Sequence, residues 1–103
     1  MREKSFTINL DTIGAERLRI IFKTDKGVVK DLVVQYECLV AGTWEEILRY
    51  DCSHGYFHRD VMKKDGSKRK RIIHVFDLNE ALTLAETDLK VNWESYKQNY
   101  FEN

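Results

Sequence analysis

At Asp77 the hydrophobic period of this chain changes, and the change limits the folds open to it. From there Leu78, Leu82, Ala85, Leu89, Trp93, Tyr96 and Tyr100 recur at steps of four and three. That is one continuous apolar stripe on a helix of about six turns. Asp77 suits the N-cap, and Glu80 is placed to complete a capping box. Before Asp77 the period is two, the signature of strands with one buried face. A single helix with an apolar stripe must bury it somewhere, and a sheet is the only large apolar surface this chain can offer.

The strand pattern starts at residues 5–10, where Phe6, Ile8 and Leu10 share a side, and a turn follows around Gly14. Residues 17–24 alternate Leu18, Ile20 and Phe22 against Arg17, Arg19 and Lys23. Asp25-Lys26-Gly27 is a turn signal. The longest strand pattern, Val28 to Ala41, places Leu32, Val34, Tyr36, Cys38 and Val40 on one face. Gly42-Thr43 then reads as a two-residue turn. Residues 44–51 should alternate Trp44, Glu46, Leu48 and Tyr50 against Glu45, Ile47, Arg49 and Asp51. After a loop at 52–57 come a weaker strand, 58–64, and a return strand, 68–76. Asp65-Gly66 joins them as a type I′ hairpin pair. Short turns between successive strands predict an antiparallel meander. The expected fold class is α+β: an antiparallel β-meander of about five to six strands with one long C-terminal helix packed on one face, in a single domain over residues 1–103.

Composition narrows the function classes. The chain is 43% hydrophobic and 12% aromatic, which excludes a disordered tail. It carries no apolar run able to span a bilayer and no signal-peptide pattern, so a cytoplasmic protein without a membrane is expected. The formal net charge is zero, yet it is unevenly spread: residues 63–71 hold six basic residues and one acid, while residues 77–103 hold six acids and two lysines. A local basic patch on a neutral chain points to an anionic ligand or to a solvated hairpin tip. Of the two cysteines, Cys38 lies in an apolar strand and reads as core. Cys52 lies in the 52–57 loop, where a reactive thiol is conceivable but a structural one more common.

Chemistry-bearing residues concentrate in Arg49 to Asp60, Arg-Tyr-Asp-Cys-Ser-His-Gly-Tyr-Phe-His-Arg-Asp. Alternation puts His58 and Asp60 on the sheet face away from the helix and Arg59 on the other. Metal-independent RNA cleavage needs a base for the 2′-hydroxyl, an acid for the leaving 5′-oxygen and cations for the phosphate. His58 and His54 are candidates for the proton transfers, with Asp60 or Asp51 orienting an imidazole. Arg49, Arg59, Lys68, Arg69, Lys70 and Arg71 are candidate phosphate ligands, and Tyr56 offers a stacking surface. Neither a cofactor nor a bound metal is expected. A metal-dependent hydrolase using His54, His58 and Asp60 or Asp51 ranks third, because the His-x-x-x-His spacing suits a helix and Gly55 argues against one here.

With those residues in view, the chain resembles a family of small prokaryotic proteins. The shared features are the Tyr-Asp-x-x-His-Gly-x-x-His-Arg-Asp signature at 50–60, the Asp-Gly hairpin, and a terminal helix with Asp88-Leu89 and Asn92-Trp93. More distantly it is similar to TumE-type toxins of toxin–antitoxin pairs, matching at Tyr50, Asp51, His54, Gly55 and His58. Here Arg59 and Asp60 follow the second histidine where the toxins carry another histidine. The resemblance implies a toxin-type protein that binds RNA and cleaves it, paired with a helix-turn-helix antitoxin. The alternative is a non-catalytic interaction module or a homo-oligomeric structural protein, with a sheet edge pairing to a partner or to a second copy as a homodimer.

Overall fold

The structure is a computed structural model, and it describes residues 1–53 and 55–102. Six antiparallel strands form one sheet in chain order: β1 (Arg2–Asn9), β2 (Glu16–Asp25), β3 (Val28–Val40), β4 (Thr43–Asp51), β5 (His58–Met62) and β6 (Lys68–Ile72). One helix, α1 (Leu78–Glu102), follows and lies across β3 and β4. The α+β meander with its C-terminal helix is therefore as expected. The helix is 25 residues long, about 37 Å at the usual rise, and so runs nearly the 41 Å length of the molecule.

The sheet buries one face because its sequence alternates. Leu18 and Ile20 of β2, Leu32, Val34 and Tyr36 of β3, and Leu48 and Tyr50 of β4 are all at most 1% exposed. Each contributes about 1.5–3 kcal/mol through removal from water. The helix answers with Ala81, Ala85 and Leu89, all fully buried. Two alanines let its first half come close to the strands, and Trp93 meets Tyr36 edge-on, with ring centroids 6.1 Å apart. Asp77 caps the helix by accepting the Glu80 backbone N–H at 2.8 Å. Glu80 reaches back one residue further than a standard capping box, to the Phe76 N–H.

Strands β5 and β6 stop at Met62 and Ile72, short of the expected 64 and 76, and three further details depart from the sequence reading. The β3–β4 turn is Ala41-Gly42, with both residues at positive φ, rather than Gly42-Thr43. That is the type I′ geometry, which suits the twist of paired strands. At the β5–β6 hairpin only Gly66 has positive φ, and Lys63 and Ser67 close the loop with a 2.9 Å backbone bond. It is a three-residue loop ending in a left-handed glycine, not a type I′ pair. The third departure sets the functional face. Tyr36 pairs with Leu48 and Glu37 with Glu46, so Ile47 is an extra residue in β4. This bulge shifts the alternation: Trp44 and Glu46 share a face with Arg49 and Asp51, and Leu48 and Tyr50 face the helix.

Candidate functional site

The sheet face away from the helix carries a belt of polar side chains running from β2 to β6. On β2, Arg17 pairs with Glu37 at 2.7 Å, and Arg19 lies 3.8 Å from the same carboxylate. Gln35 donates to Glu37 at 2.6 Å and accepts from Arg49 Nη1 at 3.2 Å. Arg49 Nε in turn donates to Asp51 Oδ2 at 2.8 Å. The register places Asp51 opposite His58, Arg49 opposite Asp60, and Asp60 opposite Lys70. Strand pairing therefore gathers the cluster, because cross-strand neighbours on one face lie side by side.

His58 sits between two carboxylates. Its Nε2 is 2.6 Å from Asp51 Oδ1 and its Nδ1 is 3.6 Å from Asp60 Oδ1. His58, Asp60 and Asp51 are 1%, 2% and 5% exposed, although nothing of α1 covers this face. The Tyr56 ring leans on the imidazole at 5.4 Å and 56°. Gly55 turns the loop at φ 82°, a left-handed conformation that favours glycine. Asp51 also accepts from the Ser53 backbone N–H and hydroxyl, at 3.1 and 3.0 Å. Burial pushes the Asp51 carboxyl up, but the bonds from Ser53 and Arg49 and the nearby His58 outweigh it and hold the group below its ordinary value. Glu46 shows the reverse balance. Burial raises its carboxyl more than Arg49 lowers it.

Glu46, Arg49, Asp51, His58, Asp60 and Lys68 border a recess of about 250 Å³. Lys68 Nζ lies 3.6 Å from Asp60 Oδ2, and Lys70 stands at the same mouth. Among the described residues, nothing donates a hydrogen bond to buried Asp60 Oδ1 or Glu46 Oε1. One ligand atom each from Asp51, His58 and Asp60 falls within 4.8 Å of the others, so these three could hold a metal ion. Arg49 and Lys68 already neutralise part of the negative charge that would attract one.

Of the residues singled out from the sequence, Asp51, His58, Asp60, Arg49, Lys68 and Lys70 come together here, with Tyr56 at the rim. Arg59, Arg69 and Arg71 point to the helix side, since Arg59 pairs with Arg71 and Val61 with Arg69. His54 lies outside the described residues. Sequence reasoning missed Glu46, whose place depends on the Ile47 bulge, and Ser53 and Gln35, which had only their polar character to mark them. Neither thiol joins the cluster. Cys38 is buried, and the half-buried Cys52 donates to Asp31 at 3.1 Å, with burial first and then Asp31 pushing the thiol up to about 11.

The signature's Tyr-Asp pair is divided between the faces. Asp51 enters the recess, and Tyr50 bonds Asp88 Oδ2 at 2.5 Å on the helix side. Tyr96 donates to the same oxygen at 2.8 Å, and Asn92 to Asp88 Oδ1 at 2.8 Å. Arg59 Nη1 donates to the Tyr96 hydroxyl at 3.1 Å. Asp88, held by Asn92 of the same motif, thus ties α1 to β4, and Tyr96 ties it to β5. A second tie joins Lys97 to buried Glu16 at 2.7 Å.

Among the described residues no helix is long and apolar enough to cross a membrane. The chain belongs to a family described as a domain of unknown function (DUF7718), whose model matches residues 1–103. No curated protein and no solved structure gives a significant match.

Proposed function

We propose that the helix-free sheet face binds RNA and cleaves it by metal-independent acid/base chemistry, as a cytoplasmic toxin partnered by a helix-turn-helix antitoxin. The observation that carries this reading is the Asp51–His58–Asp60 line with Arg49 and Lys68 against its two carboxylates. An imidazole fixed by a carboxylate at 2.6 Å is the usual arrangement for proton transfer near neutrality. One proton-transfer group takes the 2′-hydroxyl proton as the 2′-oxygen bonds to phosphorus. The bond from phosphorus to the 5′-oxygen breaks, and a second group protonates that oxygen, leaving a 2′,3′-cyclic phosphate. His58 fills one role and His54 the other. Arg49, Lys68 and Lys70 meet the charge that gathers on the phosphoryl oxygens. Because His58 is only 1% exposed, the substrate displaces Tyr56 and its loop on entry, and the tyrosine then stacks on a base.

A second reading rests on the three ligand atoms that lie within 4.8 Å of each other: a metal-dependent hydrolase with Asp51, His58 and Asp60 as ligands. Pure protein incubated with RNA in chelator separates the two. The expected product carries a cyclic phosphate end. Cleavage only after addition of a divalent cation transfers the site to the second reading. Absence of cleavage under both conditions, with normal growth on overexpression, sinks both.

A further inference from the structure

A second basic surface lies on the other side of the sheet. The helix crosses β3 and β4 and leaves the β5–β6 hairpin standing beside its C-terminal half. Between them runs a groove of about 770 Å³, within the size range of small-ligand sites. Arg59, Lys63, Lys64 and Arg69 line one wall, and Tyr96 and Tyr100 the other. The one carboxylate of the lining, Asp65, is taken up by the Ser67 backbone N–H and hydroxyl at 2.9 and 2.6 Å. Cations already lie over rings here. Arg59 is 5.9 Å from the Tyr96 centroid, and Lys64 is 5.2 Å from that of Phe101.

We infer that this groove holds single-stranded RNA outside the recess, an inference that rests on the reading of the protein as one that takes RNA. Cations along one wall suit the phosphates, and tyrosine rings on the other suit the faces of unpaired bases. An acidic peptide would use the cations but leave the rings without a matched partner. Strand β6 joins the two surfaces. It pairs only with β5 and sends Lys68 and Lys70 to the recess side and Arg69 and Arg71 to the groove side. A nucleic-acid strand that rounds this edge meets a cation at each of residues 68–71.

The test is equilibrium binding of an oligonucleotide of about 10 nucleotides, a length within the range that single-strand-binding domains take, made with 2′-deoxy sugars so that it cannot be cut. The full chain is compared with Lys63→Glu/Lys64→Glu/Arg69→Glu and with Lys4→Glu/Lys23→Glu/Lys30→Glu. The second variant makes the same charge change at exposed positions far from the groove. The groove variant should lose at least about tenfold in affinity, and the slope of log affinity against log salt should fall by about 2, from three lost phosphate contacts. The control should stay within about twofold of the parent. Equal affinities for the two variants, with matching circular dichroism, overturn the inference. So does a groove variant that loses binding to polyglutamate alone, which would assign the groove to an acidic protein. If the parent cleaves no RNA and the groove variant still loses oligonucleotide binding, the inference stands and the cleavage reading falls.

Discussion

Tyr50 and Asp51 are neighbours in sequence, yet they belong to polar clusters of opposite kinds. On the helix side, Asp88 accepts from Tyr50, Tyr96 and Asn92, so both of its oxygens are used. On the open side, Asp60 Oδ1 and Glu46 Oε1 are buried and accept no hydrogen bond from the described residues. A saturated network fixes a structure, while one with spare acceptors keeps the capacity to bond something else. The difference separates a joint from a site. It also explains how one short signature serves both, since a strand addresses two faces with alternate residues.

The largest effect that could break this comparison is catalytic. His58→Asn should lower RNA cleavage about a thousandfold, the usual range for a proton-transfer group, as followed by release of cyclic-phosphate ends. Unchanged cleavage would move the chemistry elsewhere. Next comes the joint. Asp88→Ala leaves the buried Tyr50 hydroxyl without its acceptor and should cost about 3 kcal/mol, visible as a melting point lower by at least about 10 °C. A melting point within a degree or two of the parent would mean that packing and the Lys97–Glu16 tie hold the helix without it.

A smaller effect concerns acid. The Asp51 carboxyl is held below its ordinary value in the folded chain. Its contribution to stability is therefore complete above the unfolded value, about pH 4, and is lost as pH falls through the lower folded one. Urea midpoints between pH 5 and pH 2 should fall less steeply for Asp51→Asn than for the parent, and parallel curves would refute the assignment. The least effect is on a thiol. With Cys52 raised to about 11, alkylation at pH 8 should be slower than that of an unperturbed cysteine, and Asp31→Asn should speed it. Alkylation at the rate of a free thiol would show that the 3.1 Å bond to Asp31 does not persist in solution.

Much of this was legible in the residues. The period change at Asp77 located the helix, and alternation assigned Leu18, Val34 and Tyr36 to the core. Opposite faces for His58 and Arg59 also followed from alternation alone. Clustering of Asp51 with His58 was harder to see, because it depends on β4–β5 register, which a six-residue loop does not fix. The division of Arg69 and Arg71 from Lys68 and Lys70 follows from a period of two, but a run of four cations hides it. Glu46 was out of reach. No composition signal announces a bulge inside a strand whose residues all suit pairing. The β3–β4 turn was placed one residue late for a related reason: glycine marks where positive φ is available, while Ala41 adopts it without any such mark.

The extra residue at Ile47 sets the phase between the two halves of β4. It stands outside the pairing, with Glu46 opposite Glu37 and Leu48 opposite Tyr36. Were Ile47 drawn into regular pairing, the halves would fall out of phase. With the Thr43 end holding its register, Arg49 and Asp51 would turn inward beneath the helix and Tyr50 outward into the recess. With the Asp51 end holding, the cluster would survive and Trp44 would lose the Arg17 guanidinium that lies 3.6 Å over its ring. Deleting Ile47 does neither: Glu46 and Leu48 become neighbours, and each half keeps its register and its faces. The bulge is thus a spare link that lets two strand halves of opposite phase share one ladder.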